Sequence, residues 1–190
     1  MFKALHRLLV LGTWCFWGAV AFFLYTQRAR LQPAWDYAQL LYHRDRTAPA
    51  QLPVLTGTVT RVHTSTGFQV RDLSGTLHNY GLAGIGPLGT NHASAAVERV
   101  LAAQAVTNLT DWLVGQRVRI EVTLENPATR TGLGQTWLGE TNVNERLLAE
   151  GLGALRRDQI RRLPLEDQYR LVRAERRARE AQRGVWGQPR

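Results

Sequence analysis

Hydrophobic positions change their spacing along the chain, and each change predicts a different kind of element. Residues 8–25 form a continuous apolar stretch without a charged side chain. From residue 54 onward, hydrophobic residues alternate with polar ones, as they do in strands that bury one face. The alternation predicts five strands: one that runs from residue 54 to a polar break at 64–66, and others at 67–71, 77–83, 117–124 and 134–138.

Apolar residues at three- and four-residue spacing predict helices between and after these strands. Such spacing occurs over residues 92–113, 143–150 and 164–182. Three strands, a helix, two strands and two helices form the order expected for a five-stranded OB-type barrel with three helices. We therefore predict an α+β, mostly β domain of this type over residues 54–190.

The apolar stretch at 8–25 is long enough to cross a bilayer as one helix, which takes about 17–25 residues. Basic residues flank it on both sides, at Lys3, Arg7, Arg28 and Arg30. We predict a transmembrane anchor within residues 1–30. A cleaved signal peptide and a buried helix of a soluble protein are the alternatives, but the stretch is long for the apolar part of a signal peptide.

Residues 31–53 are predicted to connect the anchor to the domain. A helical pattern over 33–43 begins with Pro33, at the first helical position where proline is favoured. This helix could lie at the membrane surface as an amphipathic helix, or it could be a linker helix that packs on its own domain. Residues 47–53 contain two prolines, each of which disfavours helix in the residue before it, so we expect an extended tether.

Charged residues bear on the orientation of the anchor and on its compartment. More arginines follow the apolar stretch than basic residues precede it, so the positive-inside rule favours the matrix or cytoplasmic side for the domain. No acidic residue occurs before Asp36, which is compatible with mitochondrial import. The composition thus favours a single-pass protein of the mitochondrial inner membrane. Cys15 is the one cysteine, which excludes an intramolecular disulfide and a zinc site of sulfur ligands.

Two segments near the C-terminus carry the most specific signal. One reads N-V-N-E-R-L-L-A-E-G-L at 142–152, and the other is an arginine-rich helix that ends in R-G-V-W at 183–186. Together with L-V-G-Q-R-V-R-I-E-V at 113–122 and G-L-A-G-I at 81–85, they resemble the staphylococcal-nuclease-like (thermonuclease) family. The resemblance covers residues 57–186 and implies that family's OB-fold. Glu145 is then expected to be structural, capping backbone N–H groups at a helix start.

The resemblance also indicates where a nuclease of this family keeps its catalytic groups. The calcium-binding turn of its first hairpin corresponds to a stretch that holds Thr64 and Thr66 and no carboxylate. Its third strand supplies an arginine, a second calcium-binding aspartate and a glutamate base. At those three positions this chain has Gly81, Gly86 and Gly89.

A second catalytic arginine of the family corresponds to Thr131, with Arg130 one residue away. Calcium needs several oxygen ligands, mostly carboxylates, and hydrolysis needs an activated water, so we expect no nuclease activity and no cofactor. His63 and His78 stand near the altered positions, but two histidines without a third ligand make a poor metal site.

The net charge of +9 suggests an acidic partner or surface. The region from 156 to 183 contains ten arginines, interleaved with acids at spacings that form intrahelical pairs, such as Glu175 with Arg179. Six of these arginines are candidates for a surface that contacts an anionic partner: Arg156, Arg157, Arg161, Arg162, Arg173 and Arg177.

Three hypotheses about function follow. The first is a catalytically inactive, membrane-anchored module that serves as an accessory subunit of a larger protein complex. The second is a membrane-tethered module that binds nucleic acid, for which few aromatic side chains near the arginines are available to stack on bases. The third is a nuclease whose active site has moved.

Overall fold

The structure, a computed structural model, describes residues 16–23, 25–43, 51–88 and 94–188. The chain divides into two compact units, Met1–Gln39 and Leu40–Arg190. In the first unit, residues 16–23 are helical and carry exposed aromatic side chains. Residues 1–15 and 24 of the predicted anchor lie outside the described residues. Among the helices that are described, none has the length and apolar character needed to cross a membrane.

Helix α1 spans Arg28–His43 and contains the helix predicted over 33–43. Pro33 lies inside α1 and not at its first position, which corrects that part of the prediction. The turn before it is already helical, because the N–H of Leu31 bonds to the carbonyl of Gln27 at 3.0 Å. Proline at this point removes one backbone hydrogen bond, a cost that the rest of the helix offsets.

Five long strands match the predicted ones. They are β1 (Val54–Thr64), β2 (Gly67–Asp72), β3 (Leu77–Leu82), β5 (Arg117–Asn126) and β6 (Thr131–Leu138). Strand β6 begins three residues before its predicted start, at a threonine followed by Gly132. Its first residues pair in parallel with β3, and Tyr80 lies opposite Gly132. The sequence of these first residues does not alternate between apolar and polar, so the start of β6 could not be predicted from the pattern.

The strands close into the expected barrel. Their order is β3-β2-β1-β5-β6, and the parallel β3–β6 pairing joins the two ends. Alternate residues of each strand face the interior, where Val59, Phe68, Val70, Leu82 and Ile120 are almost completely buried. The barrel therefore confirms the five-stranded OB-type architecture.

The helices of this unit number more than the three that the sequence predicts. They are α2 (Ala95–Leu113), α3 (Val143–Ala149), α4 (Arg157–Ile160) and α5 (Leu165–Glu180), with a final 3-10 turn at Gly184–Gly187. Helix α4 was not predicted, because four residues are too short for a helical period. It turns the chain so that Ile160 and Leu163 enter the core, at 2% and 1% exposure.

Three short strands also escaped prediction. Strand β7 (Thr141–Asn142) pairs with the end of β6, and β4 (Ile85–Gly86) pairs with β8 (Ala154–Leu155) in a separate two-stranded sheet. Two residues cannot display a two-residue period, so such strands exist through their tertiary partners alone.

The two C-terminal signature segments pack directly against each other. Gly151 and Gly184 both have positive φ, and a Cβ atom added to either would overlap the backbone of the other segment. The N–H of Val185 bonds to the carbonyl of Gly151 at 3.1 Å. The glycines in E-G-L and R-G-V-W are therefore needed because two backbones approach closely there.

A buried amide joins the start of α3 to the barrel. The Asn144 side chain is fully buried and donates to the carbonyls of Ala83 and Gly134 at 2.9 and 3.2 Å. Its own carbonyl accepts from the N–H of Thr136 at 2.9 Å. This asparagine therefore holds α3, the end of β3 and strand β6 together.

The helix cap that we assigned to Glu145 belongs to another residue. The Asn142 side chain accepts from the N–H of Glu145 at 2.9 Å and so caps α3. The Glu145 carboxylate instead pairs with Arg177 of α5. Glu145 remains structural, but it links two helices. Asn142 can cap because its shorter side chain sits at the N-cap position itself.

Candidate functional site

Three of the altered family positions lie together where the β1–β2 hairpin meets β3. Gly67 of β2 pairs with Gly81 of β3, and the N–H of Leu82 bonds to the carbonyl of Thr66 at 2.8 Å. Thr64 closes the hairpin, with its hydroxyl accepting from the N–H of Thr66 at 3.4 Å. The structure thus brings Thr64, Thr66 and Gly81 together, as a shared site requires.

Gly81 and Gly86 each have a neighbouring side chain in the space that their own side chain would need. A Cβ atom on Gly81 would lie 2.8 Å from a methyl group of Leu133 in β6. A Cβ atom on Gly86 would lie 2.9 Å from Cδ of Arg156. Leu133 and Arg156 would therefore have to move before a longer residue could occupy either position. Gly89 lies outside the described residues.

Arg156 is itself held in place by a carboxylate. Its guanidinium contacts both oxygens of Asp158 at 3.3 Å. The same contact, chiefly through its hydrogen bonds, lowers the pKa of Asp158. The carboxylate of Asp158 is therefore already paired with an arginine of the same chain.

Thr131 and Arg130 lie at the start of β6. The Thr131 hydroxyl is 2.7 Å from that of Thr129, and Asn79 donates its N–H to the Arg130 carbonyl at 2.9 Å. Arg130 has a φ of 52°, and its exposed side chain makes no ion pair within the described ranges. The turn thus provides a free cation beside the site and not inside it.

The two histidines are not brought together. His63 is exposed in β1 beside Gly67. Partial burial of its ring, and to a smaller extent the positive charge of Arg61, lowers the pKa of His63. His78 lies opposite Val70 and its Nε2 is 3.0 Å from an oxygen of Asp72. Over the residues that the structure covers, no group of three or more His, Cys, Asp or Glu side chains is arranged to hold a metal.

A cleft opens between β5, β6 and α4, beside the residues that follow β3. Its inner part encloses about 340 Å³ and is lined by Ala83, Gly84, Thr123, Leu124, Leu133, Asp158, Gln159 and Arg162. Past Leu124 and Leu133 it continues into a shallower depression of about 600 Å³ beside Pro127 and Thr131. We call the two parts together the barrel-end cleft. Leu124 is 50% exposed, so the cleft has an apolar wall open to solvent.

A tyrosine under the shallower part is held by a carboxylate. The Tyr80 hydroxyl donates to Glu125 at 3.0 Å. Burial, together with this bond to Glu125, raises the pKa of Tyr80. Tyr80 therefore stays protonated and fixes Glu125, one of the two acidic residues that line the cleft.

The six arginines proposed for an anionic partner differ in whether they already have a partner within the chain. Three have partners in the chain: Arg156 binds Asp158, Arg177 binds Glu145, and the Arg173 guanidinium lies 5.6 Å from the centre of the Tyr169 ring. The side chains of Arg157, Arg161 and Arg162 are exposed without an ion pair in the described parts of the chain.

Further pairs on α5 confirm the interleaved charges. Arg179 contacts Glu175 at 3.2 Å, as the sequence predicts, and Arg176 contacts Glu180 at 3.8 Å. This helix is therefore largely neutralised by its own acids, and of the six candidate arginines those without an ion pair or ring contact in the described residues lie in and just after α4.

Sequence reasoning missed two residues that matter at this site. Gln159 lines the inner cleft, and its Oε1 is buried without a hydrogen-bond partner in the described structure. Leu133 forms the wall that both parts of the cleft share. No motif marks either residue, because each acquires its place through α4 or through the parallel β3–β6 pairing.

The part of the chain that matches a known protein family includes strands β3 to β8 and the helices that follow them. Residues 79–188 match the sequence model of the family described as staphylococcal nuclease homologue, and this segment is more than half of the 190-residue chain. No curated protein matches the chain. The matched segment runs from β3 through the parallel barrel closure to the final 3-10 turn. The chain therefore belongs to the staphylococcal nuclease homologue family.

Proposed function

We propose that this chain is a catalytically inactive member of its family that serves as a structural and interaction module. The main support is the state of the catalytic positions. Those that bind calcium or activate water in the family hold threonine and glycine, and the side chains of Leu133 and Arg156 occupy the space beside Gly81 and Gly86. Loss of a general base alone typically costs about 10²–10⁴-fold in rate, and calcium and arginine contributions would be lost as well.

The proposal places the module at a membrane. The apolar stretch at 8–25, flanked by basic residues, would anchor it as a single-pass protein, with the mitochondrial inner membrane as the favoured compartment. The domain would then face the matrix and act as an accessory subunit of a larger membrane complex. A packed barrel whose altered positions hold threonine and glycine supports such a role.

Native gel electrophoresis of detergent-solubilised membranes tests this role. We expect the tagged chain to migrate within an assembly much larger than its own 21.4 kDa plus the detergent micelle. Migration of the chain as a monomer in mild and harsh detergents alike would contradict the accessory-subunit role. Mass spectrometry of the assembly would name the partner and the compartment together.

A further inference from the structure

Helix α1 has one apolar side that the described structure leaves exposed. Leu31, Trp35 and Tyr42 are 43%, 62% and 85% exposed, and their spacing places them on the same side of the helix. Leu40 is 9% exposed and belongs to the hydrophobic core of the unit that it begins. Helical spacing places Leu40 on the side opposite Leu31. Thus α1 is covered on one side and presents apolar side chains on the other.

A cation lies on the same side as these apolar residues. Arg28 precedes Leu31 by three residues and is exposed, and its guanidinium lies 5.0 Å from the centre of the Tyr25 ring. Arginine beside tryptophan and tyrosine is the combination that suits the boundary between lipid headgroups and hydrocarbon. We call this surface the Trp35 face; it consists of Arg28, Leu31, Trp35 and Tyr42.

The acidic residue of α1 does not oppose a negatively charged surface. The helix contains Arg28, Arg30 and one acid, Asp36. The Asp36 carboxylate accepts from the Gln32 side chain at 3.2 Å. Helical spacing separates Asp36 from each apolar residue of the Trp35 face by about 100° or more around the axis. Anionic headgroups would therefore meet the arginines and not the carboxylate.

The position of α1 along the chain indicates a bilayer as the occupant of this face. The uncharged stretch at 8–25 ends three residues before Arg28. Three helical residues rise about 5 Å, and the headgroup region extends about 5–7 Å beyond the hydrocarbon on each side. An anchor at 8–25 would thus place the start of α1 among the headgroups. Residue 27 is a turn and Pro33 lies inside α1, so the chain has two points at which its direction can change.

We propose that the Trp35 face of α1 lies on the surface of an anionic lipid bilayer. Leu31, Trp35 and Tyr42 enter the boundary between headgroups and hydrocarbon, and Arg28 contacts lipid phosphates. This inference rests on the membrane anchor of the proposed function and adds a second contact with the same membrane. The connection between anchor and domain is then held at the membrane surface.

Spin labels on the full chain in vesicles of phosphatidylcholine and phosphatidylglycerol test the inference. In a Cys15→Ala background, one cysteine at a time replaces Leu31 or Tyr42 on the face, or its chain neighbour Gln32 or His43 off it. All four positions are exposed, and neighbours diverge by about 100° around the helix. Power saturation measures accessibility to oxygen, which concentrates in lipid, and to a nickel chelate, which stays in water. We expect an oxygen-to-nickel ratio severalfold higher at 31 and 42 than at 32 and 43.

A charge placed on the face provides a second measurement. Trp35→Glu is expected to lower the ratio of a label at position 31 to that of a label at position 32, because a carboxylate is expelled from the boundary region. His43→Glu adds the same charge off the face and should leave the ratio at position 31 unchanged. Equal effects of the two substitutions would contradict a lipid contact through Trp35.

Two further results would overturn the inference. High nickel accessibility at all four positions would show that the Trp35 face is in water. Low accessibility of positions 31 and 42 to both reagents would show that protein covers it, either a second copy of this chain or a partner.

Flotation of the same vesicles reports on the anchor separately. A chain that does not float with them would contradict the anchor and this inference together. A chain that floats while its labels at positions 31 and 42 stay open to nickel would contradict this inference alone.

Discussion

Asn144 is the residue on which the attachment of α3 depends. Its side-chain amide is fully buried, donates to the carbonyls of Ala83 and Gly134, and accepts from the N–H of Thr136. Each buried group left without a partner costs about 1–3 kcal/mol. We expect Asn144→Ala to lower the free energy of unfolding by about 2–4 kcal/mol, measured by urea denaturation.

Asn126 provides the matched control for this substitution. It is exposed, and its side chain bonds only to N–H groups of its own turn, at 3.1 and 3.4 Å. We expect Asn126→Ala to cost less than about 1 kcal/mol. Equal effects of the two substitutions would show that the buried amide is not a structural link.

The carboxylate of Asp72 makes the stability of the domain depend on pH. Hydrogen bonds from the Ser74 hydroxyl, from His78 and from the N–H groups of Thr76 and Ser74 lower the pKa of Asp72 to about 2. Because this value lies below the ordinary 3.8, the ionised carboxylate stabilises the fold above pH 3.8. That stabilisation is lost as the pH falls toward 2.

The melting temperature of the wild type should therefore exceed that of Asp72→Asn at about pH 5. The difference should shrink between the ordinary pKa of 3.8 and the lowered value of about 2. Thermal melts at a series of pH values check this. A difference that persists unchanged at the lowest pH would mean that the charge contributes nothing.

At the scale of elements, the contact between the two signature segments depends on glycine. Gly184 has a φ of 53°, and a Cβ atom there would lie 2.6 Å from the carbonyl oxygen of Glu150. Gly139 has a similar φ of 57°, but a Cβ atom there would meet nothing within 4 Å. The two positions therefore have the same backbone conformation but differ in the room that a side chain would have.

Alanine substitution separates these two effects. We expect Gly139→Ala to cost about 1–2 kcal/mol, the usual penalty for a side chain in the left-handed region. Gly184→Ala should cost about 1–3 kcal/mol more, because two backbones must separate. Urea denaturation of both variants is the measurement. Equal costs would contradict the close approach of the segments.

The sequence predicts helices and strands well where they are long enough for the spacing of their hydrophobic residues to repeat. The five long strands and helices α2, α3 and α5 were predicted, with ends that differ by a few residues. Helix α4 and the paired strands β4 and β8 were not, because elements of two to four residues carry no period. They form because Ile160 and Leu163 reach the core and because Gly86 pairs with Ala154.

At the scale of the whole molecule, the sequence could locate the altered positions but not what surrounds them. Alignment to a known family marks Thr66, Gly81 and Gly86 from the motifs alone. That Leu133 and Arg156 lie in the space beside the glycines depends on the β3–β6 and β4–β8 pairings. Those contacts join residues far apart in the chain, which local patterns do not record.

The proposed anchor predicts how the whole chain behaves in membranes. We expect alkaline carbonate extraction to leave the full chain in the membrane pellet, since a transmembrane helix is not released by loss of electrostatic contacts. A variant without residues 1–30 should appear in the supernatant. Release of the full chain by carbonate would contradict a transmembrane anchor.

A nuclease assay on the purified full chain tests most directly whether the domain is catalytically inactive. Plasmid DNA, single-stranded DNA and RNA would be incubated with the chain and added calcium, and we expect no turnover above the control without protein. Calcium-dependent degradation that is abolished by Arg130→Ala or His63→Ala would contradict the account, since it would show that catalysis persists through residues beside the altered site.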